Sequence, residues 1–499
     1  TWLIPDIIAV ASLITVGLYF YYKLYLFKFW HKKGIFYVKP SFPTGNIMPI
    51  INGKLSLAEF FRDIYEHNKH HRLVGIYMLY KPYLIVNDPN LIRDILTKEF
   101  TNFHDRGIFY NEEVDPLSGH LFQLPGKKWR NLRVKLTPTF TSGKIKQFFP
   151  ILNEAGNILA KYLEEEARKG STIDVKDIFA RYSTDIIMSV AFGISCDSFK
   201  EPNNEFRYWG KKIFDPKPLW NALILFAPQI LNFFSISYTE KSVTKFFTNM
   251  FKQTVKYRES NNIERKDFLN LLIQLMKNGY VDADENKLTM MEAAAQAYVF
   301  FLAGFETSST TVTFCLYELA KNQDIQNKVR EEIQTMIKKN GDLTYNALND
   351  MNYLHKVISA ETLRKYPPVV ILNRICTNDV KLSTTDFCIP KGTCIAIPVF
   401  GLHRDSNIFP NPEKFDPERF SEENIKTRHP YVYLPFGEGP RLTFLGLRFG
   451  LIQTKIAIIN ALLKNKFKFG PNTPSTLEFE KGSLILIGKG GIHLNIEPI

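Results

Sequence analysis

Glu306 and Thr307 stand side by side in an apolar segment, within Ala303-Gly304-Phe305-Glu306-Thr307-Ser308. An acid and a hydroxyl cost energy to bury without partners. Either they handle protons, or Thr307 bonds a carbonyl one turn earlier while Glu306 pairs off structurally. Trp129 and Arg133 in KKWRNLR are four apart and share a helix face. Taken alone, such a pair is packing plus a surface cation. Glu361 and Arg364, three apart, place an acid and a base on one helical face, with Arg419 following further on. A last stretch, Phe436-Gly437-Glu438-Gly439-Pro440, is turn-rich, and its glycines let the backbone approach something flat and bulky.

The elements that must position these groups are mostly helical. Thr289 to about Lys321 reads as one long helix, with Ala293, Ala294, Ala295 and Ala297 early and Leu316 and Leu319 late. Leu447 opens another, through Ile452, Ile456, Ile459 and Leu462. Val74 to Val86 reads as a hairpin of aromatic and β-branched residues around Lys81-Pro82, and Asp88 then caps a short helix. Strands return near Val380 to Pro398 and Gly482 to Ile496.

At the N-terminus, Ile7 to Tyr22 is uncharged and, with Trp2 to Pro5, reaches spanning length. Lys23, Lys28, Lys32 and Lys33 follow, so the positive-inside rule orients the remainder toward the cytoplasm. Tyr19, Tyr21, Tyr22 and Trp30 are expected at the membrane interface. The expected organisation is a membrane anchor over residues 1–30, a basic, proline-rich linker over 31–45 and one large domain over 46–499. Pro216 to Phe234 is a second apolar stretch, too short and too proline-broken to cross, which either lies against the bilayer or packs in the core.

Composition is that of an ordinary globular protein, 45% hydrophobic and 23% charged over 499 residues. The net charge of +13 admits an anionic membrane or an acidic protein partner. Nucleic acid is set aside because no zinc spacing, recognition-helix pattern or basic tail accompanies the charge. Five cysteines, Cys196, Cys315, Cys376, Cys388 and Cys394, lack close metal spacing and read as reduced, buried thiols.

Taken jointly, these strings resemble the cytochrome P-450 haem-thiolate monooxygenases. The matches run in order from the anchor to Gly446 and beyond: WxxxR, AGxET, ExxR, and the loop Phe-Gly-x-Gly-x-Arg. FHDRG, DPLSGH and GLHRD look like the insect microsomal branch that oxidises plant toxins, insecticides and hormones. The resemblance implies a mainly α fold with a smaller β portion behind one N-terminal transmembrane helix. It implies haem b contacted by Trp129, Arg133, Ala303, Gly304, Arg374, Phe436, Gly439 and Arg441, with Thr307 and Glu306 delivering protons to bound oxygen. Glu361, Arg364 and Arg419 become a buried charge network beside the haem. Candidate pocket walls are Ile108 to Phe122, Phe301 and its neighbours, Val369 to Leu372, and Leu484 to Ile487. The implied partners are O2, an apolar small-molecule substrate, the endoplasmic reticulum membrane and a reductase carrying electrons from NADPH.

The chain departs from that family at one place. Between Arg441 and Gly446 the pattern has x-Cys-x, whereas here stand four residues, Leu442-Thr443-Phe444-Leu445, none of them cysteine. Thr443 holds the cysteine's slot counted from Arg441, and its hydroxyl does not ionise near neutral pH as a thiol does. No residue is therefore assigned as an iron ligand. Three readings stay open: compensating frame changes across these residues, a protein that binds apolar ligands without turnover, or a haem protein with another axial ligand.

Overall fold

The computed structural model describes residues 3–278, 287–382, 385, 387–441 and 446–499. Helix α1 (Leu3–Leu24) is long and apolar enough to cross a membrane. Helix α2 (Leu57–Asn68) opens on a reciprocal cap, in which Ser56 Oγ accepts from the Glu59 amide and the Glu59 carboxylate from the Ser56 amide. The hairpin is β1 (Leu73–Met78) and β2 (Lys81–Val86), paired antiparallel with Leu73 opposite Val86. Its two-residue turn puts Leu79 at φ 57°, the left-handed geometry that a tight hairpin demands.

Trp30 does not sit at a membrane interface; it is buried. Its Nε1 donates to the Ile76 carbonyl at 3.1 Å, and its ring fills the space a Cβ on Gly75 would need. Past it, the Val38 amide donates to the Gly75 carbonyl at 2.9 Å. The start of the linker is thus zipped along β1, because bare Gly75 leaves a slot for the indole.

Helices α3 (Gly126–Leu136) and α4 (Ser142–Arg168) follow, then strand β3 (Thr172–Asp174) and helix α5 (Val175–Ile187). The apolar stretch becomes α6 (Pro218–Phe226) and α7 (Pro228–Phe233), separated because Pro228 lacks an amide proton and disfavours helix at Ala227. Ile224, Phe226 and Leu231 point inward, while Phe233 and Phe234 are 81% and 65% exposed.

The central element is α8 (Met290–Lys321), packed against α5 and against the later α9 (Leu447–Leu462). Thr289 and Glu292 close a capping box at its start. Its dry middle tolerates hydroxyls because each satisfies itself: Ser309, Thr311 and Thr313 donate to carbonyls four residues back.

Strands β4 (Leu372–Ile375) and β5 (Cys394–Ile397) complete a four-stranded sheet in the order β1-β2-β5-β4, with β2 and β5 parallel. Strands β6 (Asn465–Phe469) and β7 (His493–Pro498) form a second sheet with β3. The strand expected from Gly482 is confined to β7. Gly482, Gly490 and Gly491 all have positive φ, which turns the chain instead of extending it. Cys315, Cys376 and Cys394 are buried thiols as expected, but Cys388 is exposed.

Candidate active site

A cavity of about 350 Å³ lies beside the middle of α8. Ala303, Gly304 and Thr307 form one wall, Trp129 and Arg133 of α3 another, and Phe436 and Arg441 come from the loop before α9. Val369 to Ile371, just ahead of β4, and Leu484 and Ile485 complete the apolar lining. Of the expected pocket walls, Ile108 and His120 to Phe122 line it, as do the neighbours of Phe301, namely Val299, Phe300 and Leu302; Phe301 itself does not and stacks on Phe305 instead. Gly304 has a packing reason for being glycine, since a Cβ there would strike the Ile187 side chain of α5.

At one end the structure gathers guanidiniums. The Arg441 guanidinium lies 4.7 Å over the Trp129 ring, and its Nη1 donates to the His104 carbonyl at 2.6 Å. Arg374, on β4, spends one N–H on the neighbouring Asn373 carbonyl at 2.8 Å. Arg106 packs 4.2 Å from the centre of the Phe122 ring and reaches the Arg441 carbonyl. Among the described residues the Nε atoms of Arg106, Arg374 and Arg441 are buried without a hydrogen-bond partner. Burial first, then Arg441, lowers the Arg374 pKa to about 9. Burial lowers that of Arg441 to about 10, Asp105 opposing and Arg133 adding to the effect. Arg106 is pushed down by burial and by Arg374, Arg441 and Arg133.

Asp105 holds the cluster together. Its carbonyl accepts from the Ile375 amide at 2.9 Å, which fixes this loop against β4 and sets Arg106 beside Arg374. Its Oδ1 accepts from the Gly126 amide at 2.7 Å at the start of α3 and lies 3.4 Å from Arg441 Nη1. Gly439, at φ +80°, lies off the cavity; a Cβ there would collide with the Leu96 carbonyl, so the loop closes only with glycine.

Buried cations that depress one another, with unfilled N–H groups, call for a ligand carrying more than one negative charge. The apolar walls beside them call for a broad apolar body. A haem, with two propionates on a flat macrocycle, fits both demands. The iron ligand is a separate matter: among the described residues no cysteine lines the cavity, and Leu442 to Leu445, including Thr443, lie outside the described residues.

Thr307 lines the cavity and donates to the Ala303 carbonyl at 2.5 Å. Glu306 does not line it; it is buried on the other side of α8, 2.6 Å from Lys176 of α5. Lys176 also donates to Ser309 and Thr310 at 2.8 and 2.9 Å, and burial lowers its pKa. Arg374 likewise sits behind the lining rather than in it. Elsewhere Glu361 and Arg364 form a fully buried pair at 2.7 Å, with Arg419 Nε 3.5 Å from the same carboxylate, as expected.

Sequence reasoning missed Arg106, Gln296 and Lys176 as parts of this region, and it placed His120 in a candidate wall without a role of its own. Arg106 and His120 sit in strings already singled out, FHDRG and DPLSGH, but nothing in their spacing told which side chain faces inward.

The cytochrome P450 family model matches residues 40–495. Cytochrome P450 6k1 of Blattella germanica is 39% identical, over 98% of this chain and 96% of its own length. Cytochrome P450 6a2 of Drosophila melanogaster is 39% identical over 100% of this chain and 99% of its own. Cytochrome P450 6A1 of Musca domestica is 40% identical over 98% of this chain and 97% of its own.

Proposed function

The chain belongs to the cytochrome P450 family, and on that premise we propose that it is a haem b monooxygenase that inserts one atom of O2 into apolar small molecules. The observation that carries this reading is the buried cluster of Arg106, Arg374 and Arg441, with unfilled Nε atoms, at the end of an apolar cavity. When bound, the haem supplies the redox chemistry, with electrons from NADPH arriving through a reductase.

This chain's own residues bind, orient and manage protons. Arg106, Arg133, Arg441 and Trp129, which line the cavity, would hold the propionates, with Arg374 adding positive charge from behind the lining; Ala303, Gly304 and Phe436 would lie against the macrocycle, with Gly439 letting the loop close. Thr307 Oγ1 has its proton on the Ala303 carbonyl and keeps lone pairs free to accept a hydrogen bond from the cavity. Glu306 would pass protons to that hydroxyl only when Lys176 releases its carboxylate, since the ion pair points it away from the cavity. The apolar walls exclude water from the reacting end.

The relatives' type and the anchor support the finer assignments. We infer residence in the endoplasmic reticulum membrane with the large domain on the cytosolic side, from α1 and the lysines after it. Exposed Phe233 and Phe234 support a second contact with the bilayer. The charge of +13 suits an acidic reductase surface, and the resemblance of FHDRG, DPLSGH and GLHRD to the insect microsomal branch is the ground for plant toxins, insecticides or hormones as substrates.

One observation favours a second reading, a protein that binds apolar ligands without turnover: no cysteine stands between Phe436 and Gly450. The deciding experiment is haem content and the carbon monoxide difference spectrum of the reduced protein. The monooxygenase reading expects bound haem, a thiolate-type spectrum and NADPH-dependent turnover with reductase. Bound haem without that spectrum and without turnover selects the second reading, and replacing Leu442 to Leu445 by a three-residue spacer centred on cysteine should then restore the spectrum. Absence of haem overturns the monooxygenase reading, and the second reading then stands or falls on direct binding of an apolar ligand.

A further inference from the structure

A second cavity, of about 770 Å³, opens at the surface and shares no lining residue with the first. Its walls come from Tyr65 and Lys69 at the end of α2, from Asn87 to Pro89 after β2, and from the stretch between Asn407 and Val432 that precedes α9. Most of the charges around it are already spent. Asp88 holds Arg72 Nε at 3.0 Å and caps the Leu91 amide at 2.9 Å. Glu418 holds Lys356 at 2.9 Å, and Asp416 accepts from the Glu418 amide at 3.1 Å and lies toward Arg419. Lys69 is paired with Glu66 and Asp405, and Arg419 with Glu361.

Arg428 differs. Its Nη2 donates to the Arg419 carbonyl at 2.6 Å, and its guanidinium is set against Phe409 and Phe420, 4.9 and 5.1 Å from the ring centres. Among the described residues it has no ion pair, and its Nε and Nη1 carry no hydrogen bond while staying open to solvent. Glu361, the buried carboxylate that acts on it, already serves Arg364 and Arg419, so three guanidiniums share one acid. Positive charge is therefore in surplus on this wall. The next residue, His429, adds a donor. Its Nδ1 accepts from the Tyr431 amide at 3.2 Å, so in the neutral ring the proton sits on Nε2, which has no partner among the described residues. Burial and then Arg93 lower its pKa, with Asp88 opposing, which favours that neutral ring.

We propose that this cavity is a binding site for an oxyanion, the phosphate or carboxylate group of a small polar ligand. The guanidinium of Arg428 offers such a group paired, charge-assisted N–H bonds, and His429 Nε2–H supplies a further one. The two phenylalanine rings hold the guanidinium in place, so little freedom is lost when the anion arrives. Asn87, Asn407, Asn424 and Thr427 line the remainder, which suits a polar body behind the anionic group. The site is independent of what fills the first cavity.

The test is equilibrium dialysis of full-length protein, solubilised in a phosphate-free detergent, against radiolabelled inorganic phosphate and, separately, acetate, with ionic strength held by chloride. The expected result is saturable binding in wild type that weakens about tenfold in Arg428→Gln and by a smaller factor in His429→Phe. Anion held elsewhere, as at the Arg106 cluster, is the same in both proteins and cancels in the comparison. Arg428-dependent binding of phosphate alone makes the ligand a phosphate ester, of acetate alone a carboxylate, and of both an oxyanion of either kind. Equal isotherms in wild type and Arg428→Gln overturn the proposal, as does wild type that binds neither anion. Should Arg428→Gln fail to fold, Arg428→Lys, which keeps the charge and loses the fork, takes its place with about a threefold loss expected, and unchanged affinity overturns the proposal there too.

Discussion

His403 shows how one protonation state is written into the fold. It is fully buried; Nδ1 sits 3.2 Å from the Arg364 carbonyl, and Nε2 accepts from the Leu434 amide at 2.8 Å. One nitrogen must donate and the other accept, so the ring is neutral, and burial followed by Arg364 lowers its pKa to about 3. Protonation would break the bond to Leu434, which leads into the Pro435-Phe436 loop at the cavity. The unfolded chain takes up this proton near pH ~6.5, so stability is lost as pH falls from there toward the folded value. His403→Gln should flatten the pH dependence of the urea midpoint by one proton, about 1.4 kcal/mol per pH unit between pH ~6 and ~4. Equal slopes in the two proteins would place the proton elsewhere. At this scale Trp129, Arg133 and Arg441 were legible because local motifs carry them. Arg106 was not, because it lies in irregular chain where no period indicates which side faces inward.

Between elements, the joint that matters most is α5 against α8. Lys176 reaches across to Glu306, Ser309 and Thr310, so a charge on each helix depends on the other. Lys176→Met strands the buried Glu306 carboxylate and should cost about 3–5 kcal/mol in chemical denaturation. Adding Glu306→Gln should return most of that loss. If the double variant is no more stable than the single, the ion pair is not what couples the helices. The position of α8, from Thr289 to about Lys321, was readable from periodicity, and the structure adds the capping box at Thr289. That Glu306 turns away from the cavity was not, because its partner lies on a helix remote in sequence.

For the whole molecule, the anchor and the domain meet at Trp30. Removing residues 3–24 deletes a largely exposed apolar helix whose contacts with the rest include Tyr19 and Tyr22 against Phe42, whereas Trp30 belongs to the core formed with Tyr77, Leu84 and their neighbours. Deletion of 3–24 should leave the melting midpoint unchanged and reduce membrane retention. Trp30→Ala in the full chain should lower stability by about 3–5 kcal/mol, with the membrane fraction unaltered. A truncation that melts early, or a Trp30→Ala protein as stable as the parent, would show that the joint lies elsewhere. The linker looked like a spacer in the sequence because prolines and lysines mark exposed chain. Its docking needed Gly75, on a strand whose burial is a property of the assembled sheet.

By itself the sequence determined the class of the molecule: an N-terminal helix long and apolar enough to cross a membrane, a mainly helical chain of the cytochrome P450 family, and the loop that lacks a cysteine. Those follow from local periodicity, capping and motif strings, which survive reading along one dimension. Tertiary structure alone decided which charges share a site. Asp105 brings β4, α3 and the loop at Arg441 together, so cations far apart in the chain crowd into one buried place and call for an anionic ligand. It also decided that Thr307 faces the cavity while Glu306 faces Lys176, because adjacent residues on a helix point some 100° apart and only the packing tells which direction is inward.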